Sequence, residues 1–278
     1  MSRSRCIPRR AHIGALIALL AGLCASPLAV AADILRISGT GSALGGMHLV
    51  AEAFMQAHPG ARVQVQPAIG SSGSINAVAA GKLDIGLSSS EPDAATRAKA
   101  QVTATEYART PLVVAVHRKL GLSAITSAQL AAWFEPGATF ANGQRVRPIL
   151  RGNDTTEFRF MRSLSPAVAS AVDAAAARRG MLEATTDTEE ADLIEETPGG
   201  FGSSTLALVA SERRALVALT LDGREPTLDN LAKGAYPYQK RLFAITQQAP
   251  SAAVTQFLAF LRSPAAQALL RAHGHLTP

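Results

Sequence analysis

The stretch Val63–Ser90, VQVQPAIGSSGSINAVAAGKLDIGLSSS, decides the fold. VQVQ alternates like a half-buried strand, IGSSGS is a turn of small hydroxyl residues, INAVAA is a short apolar helix closed by Gly81, and DIGLSSS is a second strand. The unit is therefore strand, turn, helix, strand. Ser71 and Ser72 sit where the helix begins, so their hydroxyls and the unpaired N–H groups of its first turn point outward together. They lie at the positive end of the helix dipole, which is a means of holding an anion without a metal.

The pattern recurs twice. LRISGTGSALGG runs a strand, Leu35 to Ser38, into Gly39, Thr40, Gly41 and Ser42, and an amphipathic helix is expected from about Leu44 to His58. In mid-chain, VRPILRGNDTTEF ends a strand at Leu150, puts Arg151 at its tip and starts a helix near Asp154 or Thr155. An arginine can grip an oxyanion through two parallel charge-assisted bonds, which a lysine cannot.

Residues 1–32 differ from the rest. Arg3, Arg5, Arg9 and Arg10 precede an apolar run from Ile13 to about Ala25, and Ala29-Val30-Ala31 offers a small-residue cleavage site, the layout of a secretory signal peptide. That run is shorter than the roughly 20 residues of a membrane-spanning helix. A periplasmic location is the expectation. Both cysteines, Cys6 and Cys24, fall in this segment, so disulfides, thiolate catalysis and cysteine-held zinc drop out of residues 33–278. The segment carries four arginines and no acid, so most of the net charge of +6 belongs to it and no nucleic-acid surface is expected. Aromatic residues are only 5%, which argues against a sugar cleft built on stacking faces.

Further along, Ser90-Glu91-Pro92 reads as a helix start, Pro111–Val116 as a strand buried on both faces, and Thr126-Ser127 as the cap of a helix to Trp133. Asp187 opens TEEADLIEE, FGSSTLALV and ALVALTLDG read as two strands, and KRLFAIT as another, before two closing helices. Strands alternating with helices predict an α/β fold with mainly parallel sheets flanked by helices. The strand at 111–116 is read as the first crossing between two lobes, one made of residues 33–111 and 236–278, the other of 112–235. The anion-type turns of both would then face one cleft.

At GTGSALG, GSSGSINAVAAGKLDIGLSSS, YARTPLVVAVH and the arginine turn, and on through TPGGFG, YPYQKRLFAIT and FLAFLRSPAAQALLRAHG, the chain resembles the periplasmic phosphate-binding proteins of ABC importers. The resemblance implies a two-lobe periplasmic binding protein fold of type II with a two-stranded hinge, closing as a monomer over phosphate or a similar oxyanion for delivery to a membrane permease. It puts Ser71, with Ser72 beside it, on the family's cleft serine, Arg151 on its phosphate-binding arginine, Thr155 on a ligand serine, and Leu44 on a residue that offers its backbone N–H. It also exposes departures. Ala43 stands where a ligand hydroxyl is found, with Ser42 adjacent. Ser89 stands where an aspartate accepts the phosphate proton, and Thr156 and Glu157 replace Gly-Thr. Asp84 matches a structural aspartate.

Monohydrogen phosphate needs an acceptor for its proton and a fully ionised oxyanion needs donors only, so the position of Glu157 bears on the choice of ligand. Glu157 has two readings: the far half of a capping box with Asp154, or a cleft acceptor. Ser42, Ser71 and Ser72 have a second reading as ordinary N-caps, and Arg151 as a solvated strand end. The scattered histidines His48, His58, His117, His273 and His275 form no metal motif, and no metal or other cofactor is expected. Gly39-x-Gly41-x-x-x-Gly45 has the wrong spacing for a dinucleotide loop, and no G-x-S-x-G elbow supports a hydrolase. Enzyme activity is not expected. A binding or sensor protein of the same fold without phosphate selectivity is the alternative to a transporter component.

Overall fold

The computed structural model describes residues 34–278, and the export segment read at residues 1–32 lies outside the described residues. The chain opens with β1 (Ile34–Gly39), α1 (Gly41–Ala57), β2 (Arg62–Val65), α2 (Gly70–Ala79), β3 (Ile85–Ser88) and α3 (Ala94–Ala100), and then enters β4 (Val102–His117). There follow β5 (Ala124–Ile125), α4 (Ser127–Trp133), β6 (Arg147–Arg151), α5 (Thr156–Ser163), α6 (Pro166–Ala176), β7 (Leu182–Ala184), α7 (Asp187–Glu196) and β8 (Gly200–Thr205). The last part holds α8 (Leu206–Ser211), β9 (Leu216–Ala218), β10 (Thr220–Leu221), α9 (Leu228–Ala232), β11 (Gln239–Gln247), α10 (Ala252–Leu261) and α11 (Pro264–Ala272).

Two lobes hang on β4. Its first part, Val102–Pro111, pairs antiparallel with β11, which continues through β3 to the parallel pairs β3/β1 and β1/β2. Its second part, from Leu112 on, pairs antiparallel with β8 and β9, and β8 continues through the parallel pairs β8/β6 and β6/β7. The flanks are thus parallel βαβ work and the centre is antiparallel. The two lobes form one hydrogen-bonded path because β4 belongs to both. Along PLVVAV the side chains alternate between two cores: Leu112, Val114 and Val116 pack with Leu130, Phe134 and Phe201, whereas Val113 and Ala115 pack with Ile149, Ile194 and Leu208. A strand with an apolar cover on each face has no polar side to show, which is why the run is continuous. In the first lobe, Ile37, Met47, Phe54 and Phe257 anchor one face of the sheet, and Ile75, Val78, Phe243 and Ile245 the other.

The structure corrects three local readings. α1 begins at Gly41, not Leu44; Gly41, which read as loop, is there for close packing, since a Cβ on it would lie 2.5 Å from Thr188 Oγ1. α3 begins at Ala94 with Asp93 as its cap, so Pro92 lies outside it. LALV is the helix α8 and not the end of a strand, because the Thr205 hydroxyl accepts from Leu208 N–H and turns the chain.

The chain passes between lobes at Pro111-Leu112 and returns at Tyr236–Tyr238. The two passages are tied together, with Leu112 N–H donating to Tyr238 O at 3.1 Å and the buried Tyr236 hydroxyl donating to Leu112 O at 2.6 Å. Replacing Tyr236 with Phe leaves the packing and removes that bond. Urea denaturation should then show a loss of about 1–2 kcal/mol; an unchanged midpoint would mean that the hydroxyl does not hold the hinge.

Candidate functional site

Helix starts locate the site. Each of α3 to α11 begins on a Ser, Thr or Asp whose side chain accepts from its own first turn. Helices α1 and α2 do not: Thr40 and Ile69 hold their cap positions, and neither side chain bonds to the turn that follows. Both uncapped starts lie in the cleft between the lobes, on the wall of a cavity of about 230 Å³. Donors and the positive end of a dipole are therefore left free in the cleft alone, among the described helices.

The two starts meet different fates. At α2, Gly70 to Gly73 border the cavity directly, and the Ser71 hydroxyl accepts from Ser89 N–H at 2.9 Å and lies 3.0 Å from the Ser89 hydroxyl. At α1 a carboxylate fills the place. Asp187, the first residue of α7 in the other lobe, puts Oδ2 within reach of the Thr40 hydroxyl (2.7 Å), the Ser42 hydroxyl (2.8 Å), Ser42 N–H (2.9 Å) and Lys240 Nζ (2.9 Å). Its Oδ1 accepts from Arg151 Nη1 at 3.0 Å. Gly41 makes this approach possible: a Cβ there would lie 2.5 Å from Thr188 Oγ1 and 3.1 Å from Asp187 Cβ.

Around Asp187 the charges pair off. Lys240, 1% exposed, also donates to Glu157 and to the Ser42 hydroxyl, and Arg151 lies 3.9 Å from Glu157 and 3.5 Å from Glu190. Burial alone would lift the Asp187 carboxyl, but the charges of Lys240 and Arg151, with hydrogen bonds from Lys240 and Thr40, hold it well below the usual carboxylate range. For Glu190 burial wins. Its carboxyl is pushed up to about 8, against the pull of Arg151 and the two bonds it accepts from the Ser203 N–H and hydroxyl. The cluster therefore sets Arg151 and Lys240 against the carboxylates of Asp187 and Glu157, while Glu190 is pushed toward its neutral form by burial.

A PBP superfamily domain model matches residues 26–265. The chain belongs to the PBP superfamily. Its sequence is 28% identical over 244 residues to the phosphate-binding protein PstS of Bacillus subtilis (strain 168), across 84% of this chain and 76% of that one. In fold it is similar to a substrate-binding protein with bound phosphate from Clostridium perfringens, at TM-score 0.69 and 17% identity, covering 88% of this chain and 100% of the other. It is also similar to an ABC-type phosphate transport receptor from Vibrio cholerae, at TM-score 0.54 and 20% identity, again over 88% and 100%. The family resemblance read from the sequence and the two-lobe periplasmic binding protein fold both stand, and the general role that goes with the PBP superfamily is solute binding.

Of the residues named from the sequence, Ser71, Ser72, Ser89, Arg151, Thr155, Thr156 and Glu157 line the one cavity. Ser42 reaches Asp187 and Lys240 instead. Ala43 and Leu44 are buried in the core of the first lobe, with Ala43 N–H bonded to Thr40 O, and they do not border the cavity. Thr155 is the cap of α5; its hydroxyl donates to Gly152 O at 2.8 Å and accepts from Phe158 N–H, so its proton is already committed. That cap displaces the Asp154–Glu157 capping box, and Glu157 turns to Lys240 inside the cleft. Ser42, Ser71 and Ser72 are not N-caps, and Arg151 is buried rather than solvated. Asp84 is structural, accepting from Arg36 N–H at 2.8 Å and Arg36 Nε at 3.1 Å. Among the described residues, no group of three or more His, Cys, Asp or Glu is arranged to hold a metal. Asp187, Glu190 and Lys240 belong to the cluster without a sequence motif that marks them. Lys240 carries a faint signal, the first of two adjacent cations at the head of a strand that turns apolar at Leu242, of which the pleat buries Lys240 and exposes Arg241, whereas Asp187 and Glu190 read as an ordinary acidic first turn of a helix.

Glu190 makes the cluster measurable. Its folded carboxyl lies above the ordinary value, so the stability it contributes is fully present below about pH 4.5 and is lost as the pH rises through about 8. Melting curves from pH 5 to 9 should show the wild type losing roughly 2–4 kcal/mol more than Glu190→Gln over that range. Parallel profiles for the two proteins would place the carboxyl in an ordinary environment.

Proposed function

We propose that this is an exported solute-binding protein that captures a small oxyanion, or a solute carrying one, between its lobes and presents it to the permease of an ABC importer. One observation carries the reading: the uncapped start of α2, with the hydroxyls of Ser71, Ser72 and Ser89, shares a single cavity with Thr156 and Arg151 of the opposite lobe. Binding at such a place needs both lobes at once, so a solute stabilises the closed form through contacts that the open form lacks. The relatives support the chemical class, since the Bacillus subtilis protein is a phosphate-binding protein and the Clostridium perfringens structure holds phosphate. The signal-peptide pattern at residues 1–32 supports a periplasmic location.

Phosphate itself is favoured less than an oxyanion in general. Ser89 offers no acceptor charge, and Glu157 spends its carboxylate on Lys240, so a phosphate proton finds no free carboxylate of the expected kind. A transport or sensing role for an organic phosphate or another oxyanion is the second reading, and these two placements favour it. Calorimetric titration with phosphate, sulfate, molybdate and a small organic phosphate separates them. At least one is expected to bind with micromolar affinity or better and to weaken about tenfold, some 1.4 kcal/mol, in Ser71→Ala. Binding of none, or binding indifferent to Ser71, would contradict the proposal.

A further inference from the structure

The carboxylate of Asp187 takes up a donor set suited to a free oxyanion. A helix-start N–H, two hydroxyls, a guanidinium and an ammonium converge on it: Ser42 N–H, the hydroxyls of Thr40 and Ser42, Arg151 and Lys240, all between 2.7 and 3.0 Å. These are the components from which anion sites at helix N-termini are built. α1, like α2, has no cap of its own, and the group that fills it comes from 145 residues away, on the other lobe. The place is closed: Ser42 and Lys240 are each 1% exposed and Asp187 is 7% exposed. It is also neutralised, because Asp187 and Glu157 already balance Arg151 and Lys240. A free anion added there would meet two carboxylates at contact distance, so it can enter only by expelling Asp187.

We propose that Asp187 is a specificity-determining residue, a tethered competitor that keeps free phosphate out of the α1 position and confines the solute's anionic group to the α2 end of the cleft. The inference rests on the reading of the cleft as the solute site. A carboxylate held on the same chain acts at an effective concentration that a free solute must exceed before it gains anything from these donors. Selection follows from that competition. A bare anion, whose binding energy would have to come from these donors, is disfavoured, whereas a solute that also fills the hydroxyl-lined space beside Ser71, Ser72 and Thr156 keeps its contacts with Asp187 in place.

Removing the competitor tests the idea. In Asp187→Ala and Asp187→Asn, inorganic phosphate should bind at least tenfold more tightly than to the wild type. Both variants should melt at lower temperature than the wild type in phosphate-free buffer, since two buried cations lose a partner, and millimolar phosphate should restore much of that loss while moving the wild type little. A purely structural Asp187 would give the melting loss without the rescue. Phosphate affinity in both variants equal to or weaker than that of the wild type, or melting temperatures that phosphate does not raise, would overturn the proposal. The double variant Ser71→Ala with Asp187→Ala separates this inference from the functional reading. The gain in phosphate affinity should persist there, because the α1 donors do not include Ser71, even though Ser71→Ala alone reports on the solute site.

Discussion

Four charged side chains, Arg151, Lys240, Asp187 and Glu157, are sealed between two lobes, and each depends on the others to be there at all. A buried ion left alone costs several kcal/mol, and breaking such a set by removing one member is far more costly than never having built it. The members come from the end of β6, the start of α5, the start of α7 and the start of β11. The donors that complete them come from the start of α1. Lys240 and the α1 donors belong to one lobe and Arg151, Asp187 and Glu157 to the other, so the bonds of Asp187 to Thr40, Ser42 and Lys240 join the two lobes.

That coupling explains the shape of the cavity. Among the described residues nine helices carry their own caps, free helix-start donors are left only at α1 and α2, and Asp187 answers one of them. What stays open is a hydroxyl-lined space bounded by α2 on one side and by the α5 start on the other. Shared use of β4 by the two sheets holds these walls to a common frame, and the Tyr236 and Leu112 bonds fix where the frame bends.

The architecture was legible because it rests on period and punctuation. The alternating VQVQ, the apolar run PLVVAV and the cap at Thr126 are local signals, and local signals survive in a single sequence. Readings failed where a distant contact overrode the local one: Gly41, packed against Thr188 and Asp187, read as a loop, and LALV, whose Ala207 N–H is held by the Thr110 hydroxyl, read as a strand. The site was half legible for the same reason. Hydroxyls at Ser71, Ser72 and Ser89 and the arginine at 151 announce anion chemistry by type and position. The groups that set its electrostatics, Asp187 and Lys240, lie 36 and 89 residues beyond Arg151; Asp187 reaches it within the same lobe, and Lys240 reaches Asp187 from the other. No spacing rule links a helix-opening aspartate to a strand-opening lysine.

Two helix starts divide the cleft, one filled by the protein's own carboxylate and the other open to the cavity. The most direct measurement is the position of a heavy oxyanion in the crystal. Tungstate diffused into wild-type crystals should give an anomalous peak beside the start of α2, within hydrogen-bond distance of Ser71 or Ser72, with Asp187 still bonded to Ser42. A peak at the start of α1 with Asp187 swung away, or no peak in the cleft at saturating tungstate, would contradict that division.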